Sequence, residues 1–272
     1  MMKSRNSPVR LVSMERGSIP NLNLGKIGVV SRNYSDKFSN GYRDFSQALS
    51  PALELLDAKG CDAVVFSLFS IIPRESYDPR TSFSGLKNVR AIFLEEFQDG
   101  ETREAGSYVV YYRAKQGWDE YRFSQVFATV TDMSQRDIDE FVKSEMPKRI
   151  LGNCCVLLCG ETNGVKYSKN DKKIHDVYGL RSGIPRNVDV ILNPIHDRMI
   201  RFEMKLKRQF LSENNRCVIS VWNKGKQDKN GKVRVEKNPA WTVFHNGDEK
   251  NLELIENEFG VEIGVLDVKR VC

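Results

Sequence analysis

The sequence predicts one α/β domain built in layers, and three observations carry that expectation. Strand-like and helix-like apolar patterns alternate almost from the beginning of the chain. Some strands are continuous apolar runs, DAVVF and CCVLLC among them, of the kind covered on both faces. Hairpin signals recur between others, so the sheets should be mixed rather than wholly parallel. With 272 residues the chain can bury a substantial core. Residues 1–22 lack periodicity and read as an N-terminal extension, while 23–272 read as a single domain without internal repeats.

The elements follow in order. Residues 26–31 (KIGVVS) form a short β-branched run expected to be a strand. Residues 43–59 place Phe45, Leu49, Leu53 and Leu56 at helical spacing and end at Gly60, with Pro51 marking a kink or restart. DAVVFSLFSI, residues 62–71, is a buried strand that completes a strand–helix–strand unit. A loop rich in Pro, Ser and Asp (73–86) leads to a strand over 89–96. Gln98-Asp99-Gly100 supplies turn chemistry, 107–113 resumes strand alternation, and 121–130 repeats it. Residues 134–143 read as a helix capped by Ser134, with Asp137 in its first turn.

A second buried strand covers 153–159, and GVKYSKNDKK beyond it reads as a loop or poor helix. Residues 188–192 form a third such strand, stopped by Asn193-Pro194. The long helix spans 199–211, with Phe202, Leu206, Phe210 and Leu211 as its apolar face. Lys205, Lys207 and Arg208 mostly fall on its solvated face. Strands over 217–222, 241–244 and 261–267 complete the chain, with a basic hairpin (224–237) and an Asn246-Gly247 turn between them. Trp222 and Trp241 are expected to pack against the sheet.

Composition narrows the function classes. Lys and Arg number 42 against 36 Asp and Glu, a net charge of +6 with both signs interleaved. The densest basic stretch, KGKQDKNGKVRVEK, lacks aromatics that could stack on bases, so nucleic acid is not an expected partner. No apolar run approaches the ~18 residues of a membrane span, and the first 20 residues offer no secretory apolar region. A cytoplasmic, membrane-free protein is expected. The six cysteines (61, 154, 155, 159, 217 and 272) contain no CxxC pair and should be mostly reduced and buried. Cys155 and Cys159, placed on one strand, would stand ~13 Å apart and could not share a metal ion. Neither a metal nor a cofactor is expected.

Functional residues in layered α/β proteins collect where buried strands reach their carboxyl edges. Three edges stand out. They are Ser67-Leu68-Phe69-Ser70, Cys159-Gly160-Glu161-Thr162-Asn163 and Asn193-Pro194-Ile195-His196-Asp197. Cys159 is a candidate nucleophile, because a sharp turn into glycine and polar residues can expose its sulfur. The alternative is that Cys159 simply continues the apolar strand, as Cys155 does.

The order of these motifs resembles the nitrilase, or carbon–nitrogen hydrolase, superfamily. VLLCGE matches its strand ending in Cys159 with Glu161 two residues on. VDVILNP, FEMKLKRQFLSENN and CVISVWNKG match the strand, Arg-bearing helix and Asn-ended strand that follow, with Arg208 and Asn223 in place. WTVFHNGDEKN and GVEIGVLDVKRV are similar to the closing hairpin and strand, so the resemblance spans roughly 25–270. It implies a four-layer α-β-β-α sandwich, a homo-oligomer, and Cys-dependent hydrolysis or transfer at an amide or nitrile carbon. It also gives Arg208 the place of an arginine that makes a structural ion pair.

The family uses a Cys nucleophile, a Glu base and a Lys that offsets the oxyanion. Here Leu68 stands at the glutamate position and Phe123 at the lysine position, and neither can do that work. Two readings stay open. In one, the site is rebuilt: His196 pairs with Cys159, Glu161 or Asp197 orients it, and Glu75, Glu95, Glu96 or Lys115 replaces the lost groups. Asn163, Asn193 and Asp197 are then candidate substrate contacts for a small amide or nitrile. In the other, the chain is a catalytically degenerate module for binding or oligomeric assembly with a partner protein. His196 is then a turn histidine capping a carbonyl.

Overall fold

A computed structural model describes residues 18–33, 44–98, 106–127, 134–197, 202–225, 232–233 and 238–271. The chain begins with β1 (Lys26–Arg32), α1 (Leu49–Ala58), β2 (Ala63–Phe66) and β3 (Ala91–Glu95). An antiparallel pair, β4 (Ser107–Ala114) and β5 (Gly117–Ser124), precedes α2 (Gln135–Glu140). Then come β6 (Ile150–Leu151), β7 (Cys154–Val156), the small hairpin β8 (Lys166–Ser168) and β9 (Lys173–His175), and α3 (Leu180–Gly183). β10 (Val190–Asp197), α4 (Phe202–Leu211), β11 (Cys217–Asn223), β12 (Trp241–His245) and β13 (Asp248–Lys250) follow. β14 (Glu253–Ile255), β15 (Val261–Asp267) and α5 (Val268–Val271) complete the described chain.

Two sheets result. One has the order β14-β15-β1-β2-β3-β4-β5, the other β13-β12-β11-β10-β7-β6. β1, β2 and β3 run parallel, as do β7, β10 and β11, and the outer strands pair antiparallel. The central strands are buried on both faces, and successive residues alternate between two cores, as the pleat requires. Val29, Val65 and Phe93 of the first sheet meet Val156, Leu192 and Ile219 of the second in a shared core. The opposite face of the first sheet (Val64, Phe66, Ile92, Leu94) packs on Leu49, Leu53 and Leu56 of α1. The opposite face of the second (Cys155, Leu157, Ile191, Val218) packs on Phe141, Val142, Leu180 and Leu211. This is the expected four-layer α-β-β-α stack.

Several element expectations are corrected. The first helix starts at Leu49, so Pro51 lies in its first turn, where its missing N–H is not needed, and there is no kink. GVKYSKNDKK forms most of the β8–β9 hairpin. β10 does not stop at Asn193-Pro194 but runs to Asp197, with an irregular register between Pro194 and Asp197. β7 pairs with it only as far as Leu192, so Pro194 removes no donor from that ladder. The α4 face is also turned from the expected one. Met204, Lys207, Arg208 and Leu211 are buried, whereas Phe202 is 67% exposed. Gln98-Asp99-Gly100 and the basic hairpin fall largely outside the described residues. Among these residues, no helix is long and apolar enough to cross a membrane.

The two sheets are tied together where their parallel strands end. Ser31 Oγ donates to the Trp222 carbonyl at 2.6 Å. Asn223 accepts from Ser67 Oγ at 2.6 Å and donates to the Leu68 carbonyl at 2.6 Å. These buried bonds hold the carboxyl edges of β2 and β11 in one place, and the adjacent ends of β3, β7 and β10 join them there.

Candidate active site

Cys159 lies just past β7, where the chain turns into the short 3₁₀ segment Cys159–Gly164. Its φ is +40°, a left-handed conformation that a non-glycine residue rarely adopts. The turn is over-determined from below. The fully buried Glu161 carboxylate accepts the Leu158 and Val126 N–H groups at 2.8 Å each. Both of its oxygens also take the Arg149 guanidinium at 3.1 Å. Burial pushes the Glu161 carboxyl up, against the pull of Arg149 and the two N–H donors. Asn193 adds a brace, donating Nδ2 to the carbonyls of Leu157 at 2.6 Å and Cys159 at 3.4 Å and accepting Ser220 Oγ. Backbone strain at Cys159 is therefore maintained by a cage of buried polar bonds.

His196 reaches this turn because β10 continues beyond Pro194. Its Nε2 lies 3.1 and 3.3 Å from the two Glu95 oxygens, and the imidazole stands close enough to Cys159 for the two groups to interact. Burial would depress His196, but the bonds to Cys159 and Glu95 outweigh it and push the imidazole up to about 10. Phe69 completes the support. With φ at +56°, it donates its N–H to Glu95 Oε2 at 2.6 Å and lays its ring 4.1 Å from the imidazole. Phe97 backs that ring at 5.2 Å.

Thus Cys159, His196 and Glu95, from three parallel strand ends, form one chain of contacts. Among the other residues singled out by sequence, Glu161 is committed to Arg149 and does not orient His196. Glu96, one residue from Glu95, points to the other face of the sheet, where it pairs with Arg122 at 2.6 Å and accepts from the Tyr111 hydroxyl. Asn193 is spent on backbone carbonyls and Ser220, leaving it a brace rather than a substrate contact. Asp197 sits opposite Asn223 at the end of β10. Glu75 and Lys115 are exposed on loops. Leu68 is fully buried, and Phe123 lies under the Arg149 guanidinium, 4.3 Å from its ring centre.

Two basic residues of α4 belong to this region although the pattern put them in solvent. Lys207 is 5% exposed and donates to Asn163 Oδ1 at 2.7 Å, tying the helix to the Cys159 turn. Arg208 is 4% exposed, donates Nη1 to Thr242 Oγ1 at 3.3 Å, and stands 5.9 Å from the Trp222 ring centre. It makes no ion pair with any described residue. Burial pushes its guanidinium down to about 10, opposed by the Cys159 sulfur.

The other free thiols have no such surroundings. Burial pushes Cys61 and Cys155 up to about 12 and Cys154 well above its ordinary value, while Cys217 is disulfide-bonded. The described residues gather no group of three or more His, Cys, Asp or Glu suited to a metal ion.

No family model and no curated protein matches the sequence. Among solved structures, the chain is similar to a carbon–nitrogen hydrolase from Helicobacter pylori G27. Identity is 9%, with 91% of this chain and 90% of that one covered and a TM-score of 0.45. It is also similar to an amidase from Nesterenkonia sp., at 10% identity, 93% and 94% coverage and a TM-score of 0.46. A glutamine-dependent NAD(+) synthetase from Cytophaga hutchinsonii aligns over 91% of this chain but 43% of its own, at 10% identity and a TM-score of 0.46. At such identities no residue role passes from those proteins to this chain, whose site stands on its own contacts.

Proposed function

We propose that the chain is a cysteine hydrolase acting at an amide carbon. Cys159 is the nucleophile, His196 the proton carrier and Glu95 the group that positions the imidazole. The observation that carries this reading is that His196, held by Glu95 at 3.1 Å, stands beside Cys159 at the strand ends. The amide class rests on the motif resemblance around VLLCGE and on the chemistry of a thiol beside an imidazolium.

An imidazolium offsets the charge of a thiolate, so His196 itself serves as the partner that takes the thiol proton. The sulfur attacks the acyl carbon, a C–S bond forms, and the carbonyl π pair moves onto oxygen. Collapse of that oxyanion breaks the C–N bond as His196 gives its proton to the departing amine. Neutral His196 then takes a proton from water as the water oxygen attacks the thioester, and the sulfur leaves as thiolate. Glu95 stabilises each imidazolium stage and holds the ring by way of Nε2.

A binding-module reading draws on Leu68 and Phe123, which surround the site with hydrocarbon where a carboxylate and an amine would serve catalysis. The two are separated by acid-quenching the protein after incubation with a panel of small primary amides and mapping its peptides by mass. An acyl adduct on the Cys159 peptide, released by hydroxylamine and missing in Cys159→Ala, supports the hydrolase. A protein that binds amides without ever carrying the adduct or releasing ammonia would favour the module.

A further inference from the structure

Arg208 is a buried cation whose best recognition edge is unused. Its Nη1 is taken by Thr242, but Nε and Nη2 have no hydrogen-bond partner among the described residues. Those two atoms form the side of the guanidinium that donates two parallel N–H bonds, the geometry that matches a carboxylate. Leaving a charged group in this state is costly, since a buried donor without a partner loses its hydration and receives nothing back. A solvated lysine or arginine would avoid that cost, and α4 had solvent-facing positions to offer.

Position gives the unused edge a purpose. Lys207, the preceding residue, is bonded to Asn163 in the Cys159 turn. Arg208, the next residue, is held under the sheet edge by Thr242 at 3.3 Å and faces the Trp222 ring at 5.9 Å, and the Cys159 sulfur acts on its guanidinium.

We propose that Arg208 is the anchor for a substrate carboxylate, so that the chain acts on amides that also carry a carboxylic acid. The carboxylate accepts from Nε and Nη2 while the amide carbon meets Cys159. This rests on the hydrolase reading for its reaction but not for its binding. Arg208 itself is a specificity-determining residue, and its pairing is made before and after the chemistry alike.

The test uses the Cys159→Ala protein, so that binding is read without turnover. It is titrated calorimetrically with the half-amides of the three- to six-carbon dicarboxylic acids and with the matching neutral diamides. The best half-amide is expected to bind about tenfold or more tighter than its diamide. Adding Arg208→Gln should remove that preference; Arg208→Lys, which keeps the charge but loses the fork, should retain only part of it. Thermal melts of each variant report whether the fold is intact. Equal binding of half-amide and diamide, a preference that survives Arg208→Gln, or no half-amide binding up to ~10 mM would each overturn the proposal. A chain that binds half-amides through Arg208 yet never forms the Cys159 adduct would keep the anchor and lose the hydrolase.

Discussion

Replacing Glu95 with glutamine removes one charge from the site and nearly nothing else. The amide oxygen of glutamine can still accept the Phe69 N–H that Glu95 Oε2 now takes at 2.6 Å. What is lost is the attraction between carboxylate and imidazolium at 3.1 Å. With an effective dielectric of about 20, that attraction is about 5 kcal/mol, equivalent to roughly 3 to 4 pH units on the imidazole. The Cys159 bond keeps part of the stabilisation, so His196 should titrate about 2 to 3 pH units below its native value of about 10. At pH 8.5 the native imidazole is protonated, and the variant's is largely neutral. Amide turnover should fall about 100-fold or more, the scale of lost general acid–base assistance.

The assay is the pH dependence of imidazole resonances in histidine-labelled protein. His175 and His245 serve as internal references, and His196 is assigned from its loss in His196→Gln. A His196 titration that is the same in native and Glu95→Gln protein would refute the contact as the source of the elevated value.

Three further outcomes follow from the same contacts. Glu161→Gln leaves the fully buried Arg149 without its counter-charge and should cost about 3–5 kcal/mol of unfolding free energy by urea titration; a loss below 1 kcal/mol would count against the cage under Cys159. Asn223→Ala opens the bonds to Ser67 and Leu68 that join the sheets, and should cost about 1–3 kcal/mol. His196 holds its proton more tightly folded (about 10) than at its ordinary 6.5. Its stabilisation is thus complete below pH 6.5 and lost as pH rises to about 10. Urea midpoints should therefore drop over that range in native protein and less in His196→Gln; equal pH slopes would contradict this.

The layered fold was legible because its strands are written as separate apolar runs with turn residues between them. Cys159 was legible for the same reason: CCVLLC ends in glycine and polar residues. Between Glu95 and Glu96 the sequence could not decide. AIFL is apolar on both faces of β3, so no alternation fixes its phase. The structure sets it by packing Ala91 and Phe93 into the inter-sheet core, which sends Glu95 inward and Glu96 to Arg122.

Arg149 was missed because its link to Glu161 runs across the antiparallel β6–β7 pair and leaves no local spacing behind. The α4 face was misread because Phe202, Leu206 and Phe210 outweigh two cations on any hydropathy count. Lys207 and Arg208 are drawn inward by Asn163 and Thr242, acceptors distant in sequence. Their long aliphatic stems supply the apolar surface that the helix needs.

The most direct measurement of whether Cys159, His196 and Glu95 act as one unit is the rate at which iodoacetamide labels each thiol, read by peptide mapping near neutral pH. Cys61, Cys154 and Cys155, whose burial pushes their thiols well up, are internal controls in the same sample. Cys159 is expected to be labelled first, by a factor of about 100 or more, and to lose at least about tenfold of that rate in His196→Ala. Labelling of Cys159 at the same rate as the buried thiols, or at a rate indifferent to His196, would contradict the account.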